Sequence, residues 1–250
     1  VVEKQLLKRI LGSTDHRARA AAVKVLCDWR HRAGDTLSLL KERAGDEHPL
    51  VRLEAIRAAS FFTDPKAALV ALECLRFEQD RFTQYVLGET IRALEPYWKP
   101  PLIEGRMMVG QQGGPAVAYL LDRIGNDQLL KIHGSPEVYT AILSRPDIPA
   151  EQRLEAVKGL ARLQNTDRMS VLLEAISKAA ESDHGPHLVG ELGGMLLQRP
   201  LEQLRKARDR FRKMALEGKT THLRRVGFAA WITADGSLAD AYDVPLSADD

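Results

Sequence analysis

Apolar positions recur along this chain with the period of an α-helix. In His48–Phe62, HPLVRLEAIRAASFF, projection at about 100° per residue places Val51, Ala55, Ala58 and Phe62 on one stripe. Leu50, Leu53, Ile56 and Ala59 spread round both sides of it. A helix apolar over so wide an arc must be covered on more than one face, and its alanines let neighbouring helices come close. Shorter helical patterns occupy Thr36–Arg43 (TLSLLKER), Lys66–Leu75 (KAALVALECL) and Met169–Ala180 (MSVLLEAISKAA). The links AGDEH, TDP and NTD carry the Asp, Gly and Pro residues that end one helix and start the next. No segment alternates with the period of two expected of a half-buried strand.

The helices repeat. Thr14–Leu26, TDHRARAAAVKVL, aligns with the segment 33 residues later, so that Arg19, Ala22 and Lys24 fall under Arg52, Ala55 and Arg57. Farther on, DRFTQYVLGETIRAL sets Ile91, Arg92 and Ala93 under Ile56, Arg57 and Ala58. Arg153–Lys158, RLEAVK, repeats Arg52–Arg57, RLEAIR, and HLRRVGFAAWI is a weaker copy with Arg224 and Arg225 ahead of small residues. Each repeat is a helix pair that cannot bury its apolar surface alone and needs neighbours on both sides. The expected fold is all-α, an α-solenoid of five to six stacked helix pairs wound as a right-handed superhelix. Residues 1–99 and 135–250 carry the repeats within one continuous domain, and 100–134 form an irregular junction with one helix. At the edge of that junction EPYWKPP, with three prolines, reads as a helix break, and GQQGGP as a glycine-rich turn.

The form D-x-x-P-x-V-R-x-x-A-x-x-A resembles HEAT repeats over most of the chain. HPLVRLEAIRAASFF, TIRALEPYWKP, AILSRPDIPAEQRLEAVKGLARL and ITADGS are similar to the HEAT segment of large bacterial putative membrane-bound dehydrogenases. That narrower resemblance implies a helical segment excised from a secreted multidomain protein. Its flanking domains would be a propeller of the sorbosone or PQQ-dehydrogenase type and a cytochrome c. It also implies an extracytoplasmic setting, reached through the parent protein; without it the chain reads as cytoplasmic. Neither catalytic part is in this sequence, which holds no CxxCH.

Composition fits a packed helical protein: 44% of residues are hydrophobic and only 6% aromatic, so packing rests on small and aliphatic side chains. No apolar run reaches the roughly 20 residues needed to cross a bilayer, and the first residues lack a signal-peptide layout. Direct membrane insertion is not expected. Charge is balanced overall but not locally. Residues 199–225 hold ten Lys and Arg against three Asp and Glu, 226–250 hold five Asp and no base, and 1–198 are neutral. Cys27 and Cys74 lie 47 residues apart and form no metal-binding pattern.

Candidate chemistry is sparse. Arg19, Arg52 and Arg153 recur at one repeat position, which favours architecture: each can satisfy a carboxylate or helix-end carbonyl of a neighbour, with Asp15 and Asp46 as acceptors. Arg205, Arg208 and Arg212 fall on one face if their segment is a single helix, and with Arg224 and Arg225 they form the one patch for an anionic partner. A DNA-glycosylase-like nucleic-acid binder is the alternative function, with Asp28 and Trp29 as acid and stacking platform. Near-neutral overall charge and the lack of a recognised motif argue against nucleic acid. Asp183, His184 and His187 are too few for a zinc site, and Gly110, Gly113 and Gly114 match no phosphate-loop pattern. The expected function is a non-enzymatic scaffold without cofactor or metal, whose partner is another protein or the flanking domains of the same polypeptide.

Overall fold

The computed structural model describes residues 3–107, 114–182 and 184–237, and every regular element among them is helical. The fold is an α-solenoid of HEAT-like helix pairs, and the chain divides into two compact units, Val1–Ile132 and His133–Asp250.

The first unit holds α1 (Lys4–Leu11), α2 (His16–Asp28), α3 (Thr36–Ala44), α4 (Pro49–Ala59) and α5 (Lys66–Leu72), which a 3₁₀ turn at Glu73–Arg76 extends. Next come α6 (Arg81–Ala93), α7 (Glu95–Ile103), α8 (Pro115–Leu121) and the single turn α9 (Asn126–Leu129). The pairs are α1–α2, α3–α4 and α5–α6. Stacking places α2, α4 and α6 in one layer, while α3 and α5 pack together in the other. Short polar side chains start these helices by accepting the otherwise unpartnered first amides: Asp15 from Arg17, Asp35 from Ser38, Asp80 from Thr83.

The stripe expected on α4 is where the layers meet. Val51, Ala55, Ile56, Ala58 and Ala59 have no exposed surface, because α2, α3, α5 and α6 cover the helix from several sides. Phe62 lies beyond the last turn of α4, and Leu50 faces out.

The proline-rich stretch differs from its expected role as a helix break. The chain turns at Leu94, which ends α6 and begins α7, and all three prolines lie in α7. Pro96 takes a position near the helix start, where no amide donor is needed. Pro100 and Pro101 leave carbonyls in the preceding turn without amide donors, a loss that so short a helix tolerates. Trp98 is buried and donates Nε1–H to the carbonyl of Ile91 at 2.9 Å, which pins α7 to α6.

The second unit holds α10 (Pro136–Ser144), α11 (Ala150–Leu163), α12 (Arg168–Ala179) and α13 (Gly185–Leu197). It ends with α14 (Leu201–Lys206), α15 (Arg208–Glu217) and α16 (Thr221–Asp235). Pairs α10–α11, α12–α13 and α15–α16 follow one another. Small residues set the spacing. A Cβ on Gly193 of α13 would sit 2.9 Å from Cγ2 of Val226 on α16, so the two helices cross closely there. In the same way the ring of Tyr139 fits against Gly134 and Gly159, where a methyl group would collide with it.

Candidate interaction surfaces

Arg19, Arg52 and Arg153 are each the fourth residue of their helix, and all three side chains are buried. Each folds back on the turn that precedes its own helix. Arg19 donates to the carbonyls of Ser13 and Thr14 at 2.9 and 3.1 Å, and Arg52 to those of Asp46 and Glu47, both at 2.9 Å. Arg153 donates to Ile148, Ile142 and Arg145 at 3.1, 3.2 and 2.7 Å. These guanidinium groups therefore hold inter-helix turns shut by satisfying carbonyls that would otherwise be buried without donors.

Two of the three also reach the next repeat. Arg19 grips Asp46 with Nε and Nη2, both at 2.8 Å, and Arg153 meets Glu191 of α13 at 2.7 Å. Arg52 instead lies 4.4 Å from the ring of Phe77. Asp15 takes no arginine; it caps α2. Arg52 and Glu54 do not pair with each other. Glu54 is buried between Lys24 of α2 at 3.1 Å and Arg57 of α4 at 3.0 Å, and its repeat counterpart Glu155 pairs with Lys158 at 2.6 Å on the surface.

Asp46 joins three helices, since it also accepts the His48 amide at 3.0 Å and lies 3.5 Å from Arg43 of α3. Burial pushes its carboxyl pKa up, but the hydrogen bonds from Arg19 and His48 and the charges of Arg19 and Arg43 together carry it below the usual carboxylate value. A depressed folded pKa contributes stability above the unfolded value of about 3.9, and this is lost as pH falls through the folded value. Asp46→Asn is expected to cost about 2 kcal/mol at neutral pH and to flatten the acid limb of the stability profile. Urea unfolding from pH 7 to pH 2 measures both; an unchanged acid limb in the variant would assign the acid sensitivity elsewhere.

The second helices of the first unit present one outward face. Each shows solvent a single stripe: Arg17, Lys24 and Asp28 on α2, Leu50 and Arg57 on α4 with Phe61 in the turn just after it, Phe82, Tyr85, Glu89 and Arg92 on α6. The charges on it are largely paired, Lys24 and Arg57 with Glu54, Arg92 with Glu89 at 2.8 Å. The apolar members are largely exposed, Phe82 61%, Tyr85 70%, Phe61 50% and Leu50 40%, with Arg81 over the Phe82 ring and Arg30 over the Phe61 ring.

The basic segment of the second unit is not one helix. The chain bends at Ala207, which puts Arg205 at the end of α14 and Arg208 and Arg212 on α15. Arg208 is held by Asp235 of α16 at 2.5 and 3.0 Å, and both Arg208 and Arg212 lie within 6 Å of the Trp231 ring, at 5.8 and 5.7 Å. Arg224 and Arg225 belong to α16, where Arg225 is exposed. The remaining aspartates of the acidic end, Asp240 onward, lie outside the described residues.

Two concavities flank this segment. A groove of about 660 Å³ between α12 and α15 has Leu173, Met214 and Leu223 among its apolar walls. Its rim balances charge with charge, as in Lys219–Glu181 at 2.6 Å and Lys213–Glu217 at 3.9 Å. A cleft of about 530 Å³ lies at the start of α12, among Arg168, Lys206 and Arg210. Arg168 and Lys206 have no place in the patch expected from the sequence.

Other candidates do not assemble into sites. His184 precedes α13 and His187 faces Glu191 at 3.7 Å, Asp183 lies outside the described residues, and no three metal-ligating side chains converge among those described. Gly114 precedes α8, while Gly110 and Gly113 lie outside the described residues. Asp28 is exposed at the end of α2 with Trp29 half-buried beside it. Cys27 and Cys74 are buried free thiols, and burial pushes Cys74 up to about 12. No described helix is long and apolar enough to cross a membrane.

No curated protein matches the chain. A solved crystal structure of an engineered protein aligns over 94% of this chain and 98% of its own, at 15% identity and a TM-score of 0.35. The family model for HEAT repeats matches residues 3–94, the segment in which Arg19 and Asp46 tie α2 to the turn before α4.

Proposed function

We propose that the chain is a non-catalytic scaffold that holds a protein partner on the α2–α4–α6 face. The observation that carries this reading is the exposure of Phe61, Phe82 and Tyr85 on one layer of a protein with only 6% aromatic residues. Rings are used sparingly here, and a soluble surface gains nothing from three of them unless something covers them. Buried aromatic anchors ringed by paired charges are the usual centre of a protein interface. The charged groups that first look like chemistry, Arg19, Arg52, Glu54 and Arg153, are engaged in holding helices together.

By resemblance, the partner is a flanking part of the same polypeptide, a dehydrogenase-like propeller or a cytochrome c, in a bacterial extracytoplasmic protein. That placement rests on the sequence segments quoted for it. The chain would then link the two flanking domains.

The double variant Phe82→Ala, Tyr85→Ala is expected to leave unfolding within about 0.5 kcal/mol of wild type, because both side chains face solvent. It is expected to weaken binding of the flanking domains, supplied in trans, by about 100-fold or more. Calorimetric titration gives the affinity. Undiminished binding by the variant would remove the α6 face from the interface.

A further inference from the structure

Arg168, Lys206 and Arg210 line one cleft in the second unit, with Met169, Gln203 and Ala207 between them. Three helices bring them together: α12 begins at Arg168, α14 ends at Lys206, and α15 carries Arg210 in its first turn. Lys206 stands just before the bend at Ala207 and Arg210 just after it.

The cleft's one carboxylate, Asp167, is already engaged. It accepts the Ser170 amide at 2.9 Å and the Ser170 hydroxyl, and these bonds hold its carboxyl below the usual range. Arg210 donates to the Ser170 hydroxyl oxygen at 3.2 Å. Among the described residues no carboxylate lies within ion-pair distance of Arg168, Lys206 or Arg210. Three cations against one carboxylate leave a net charge of +2 in the cleft. Arg199, half-buried, adds a further cation near enough that its charge and that of Arg168 repel. Glu155 acts on Arg168 only at a distance, being paired with Lys158 at 2.6 Å. Arg210 also borders the neighbouring α12–α15 groove, whose other rim cations, Lys213 and Lys219, are matched by Glu217 and Glu181.

Like charges gathered in a concavity repel one another unless an anion neutralises them, and guanidinium groups present paired N–H donors suited to oxyanions. We propose that this cleft binds a phosphate group, with Arg168, Lys206 and Arg210 as its cationic ligands. A dianion matches the net charge, whereas a single carboxylate leaves half of it. The first amides of α12 are occupied by Asp167, so recognition comes from side chains and not from the helix end. The site is separate from the α2–α4–α6 face, and either can fail without the other.

The test is a heteronuclear NMR titration of the full chain in low-chloride buffer, with inorganic phosphate in one arm and O-phosphoserine in the other. Saturable shifts confined to the amides of Met169, Ser170, Gln203 and Lys206–Arg210 are expected. Binding of both ligands identifies a phosphomonoester site, and binding of phosphate alone a free-phosphate site. Arg168→Gln and Arg210→Gln are each expected to weaken binding about tenfold, and Arg225→Gln to leave it unchanged. Absence of saturable shifts, equal affinity for acetate, or undiminished binding by the doubly substituted chain would each overturn the proposal. So would duplex DNA that displaces phosphate while shifting Arg224 and Arg225 as well, since the ligand surface would then be an extended polyanion track.

Discussion

Arg153→Ala is expected to destabilise the second unit by about 3–5 kcal/mol. The side chain is almost wholly buried and donates to four backbone carbonyls, at the end of α10 and in the turn before α11, as well as to Glu191 on α13. Truncation leaves those carbonyls without donors in a space too small to be rehydrated freely, at about 1–3 kcal/mol each where no water enters. Glu191 contributes less, because it is partly exposed and His187 stands nearby at 3.7 Å. Glu191→Gln is therefore expected to cost under about 1 kcal/mol. Arg153→Lys should fall between the two, since an ammonium keeps the charge but cannot span carbonyls that diverge around a planar fork. Native-state hydrogen exchange of the α11 amides reads the unit directly and separates it from residues 1–132. Equal losses for Glu191→Gln and Arg153→Ala would show that the ion pair, and not the turn carbonyls, carries the stability.

The repeat position of these arginines was legible because it recurs, and the fourth place in the helix gives every copy the same reach back to its own turn. The partner across repeats was legible only in part. Asp46 lies in the turn itself and could be named, whereas Glu191 follows Arg153 by 38 residues on another helix, with nothing in its surroundings to mark it. The basic segment failed as a linear reading for a geometric reason. Helical projection assumes continuity, and the bend at Ala207 removes Arg205 from the row it seems to share with Arg208 and Arg212. The cleft cations come from separate helices, so Arg168 forms no run with Lys206 and Arg210. Proline content misplaced the break near residue 95 because proline is costly chiefly where a helix is long enough to need the missing donor.

Gly227→Ala is expected to cost about 2–4 kcal/mol, against the general rule that alanine improves a helix interior by about 1 kcal/mol. A Cβ at this position of α16 would stand 2.5 Å from the Ala215 nitrogen, 2.8 Å from its Cα and 2.8 Å from the Met214 carbonyl carbon, all backbone atoms of α15. No rotamer change relieves such a clash. The helices must separate by about 1 Å, which loosens the packing around Phe211, Ala230 and Trp231, all buried along this pair. Gly194, on α13 in the same unit, supplies the control. It has nothing within 4 Å of an added Cβ, so Gly194→Ala is expected to stabilise by about 0.5–1 kcal/mol. Urea unfolding followed by Trp231 fluorescence, with Trp29 and Trp98 replaced by phenylalanine in every chain compared, reports on the second unit. Effects of the same sign in the two variants would mean that helix propensity, and not the close approach of α15 and α16, decides the stability of this unit.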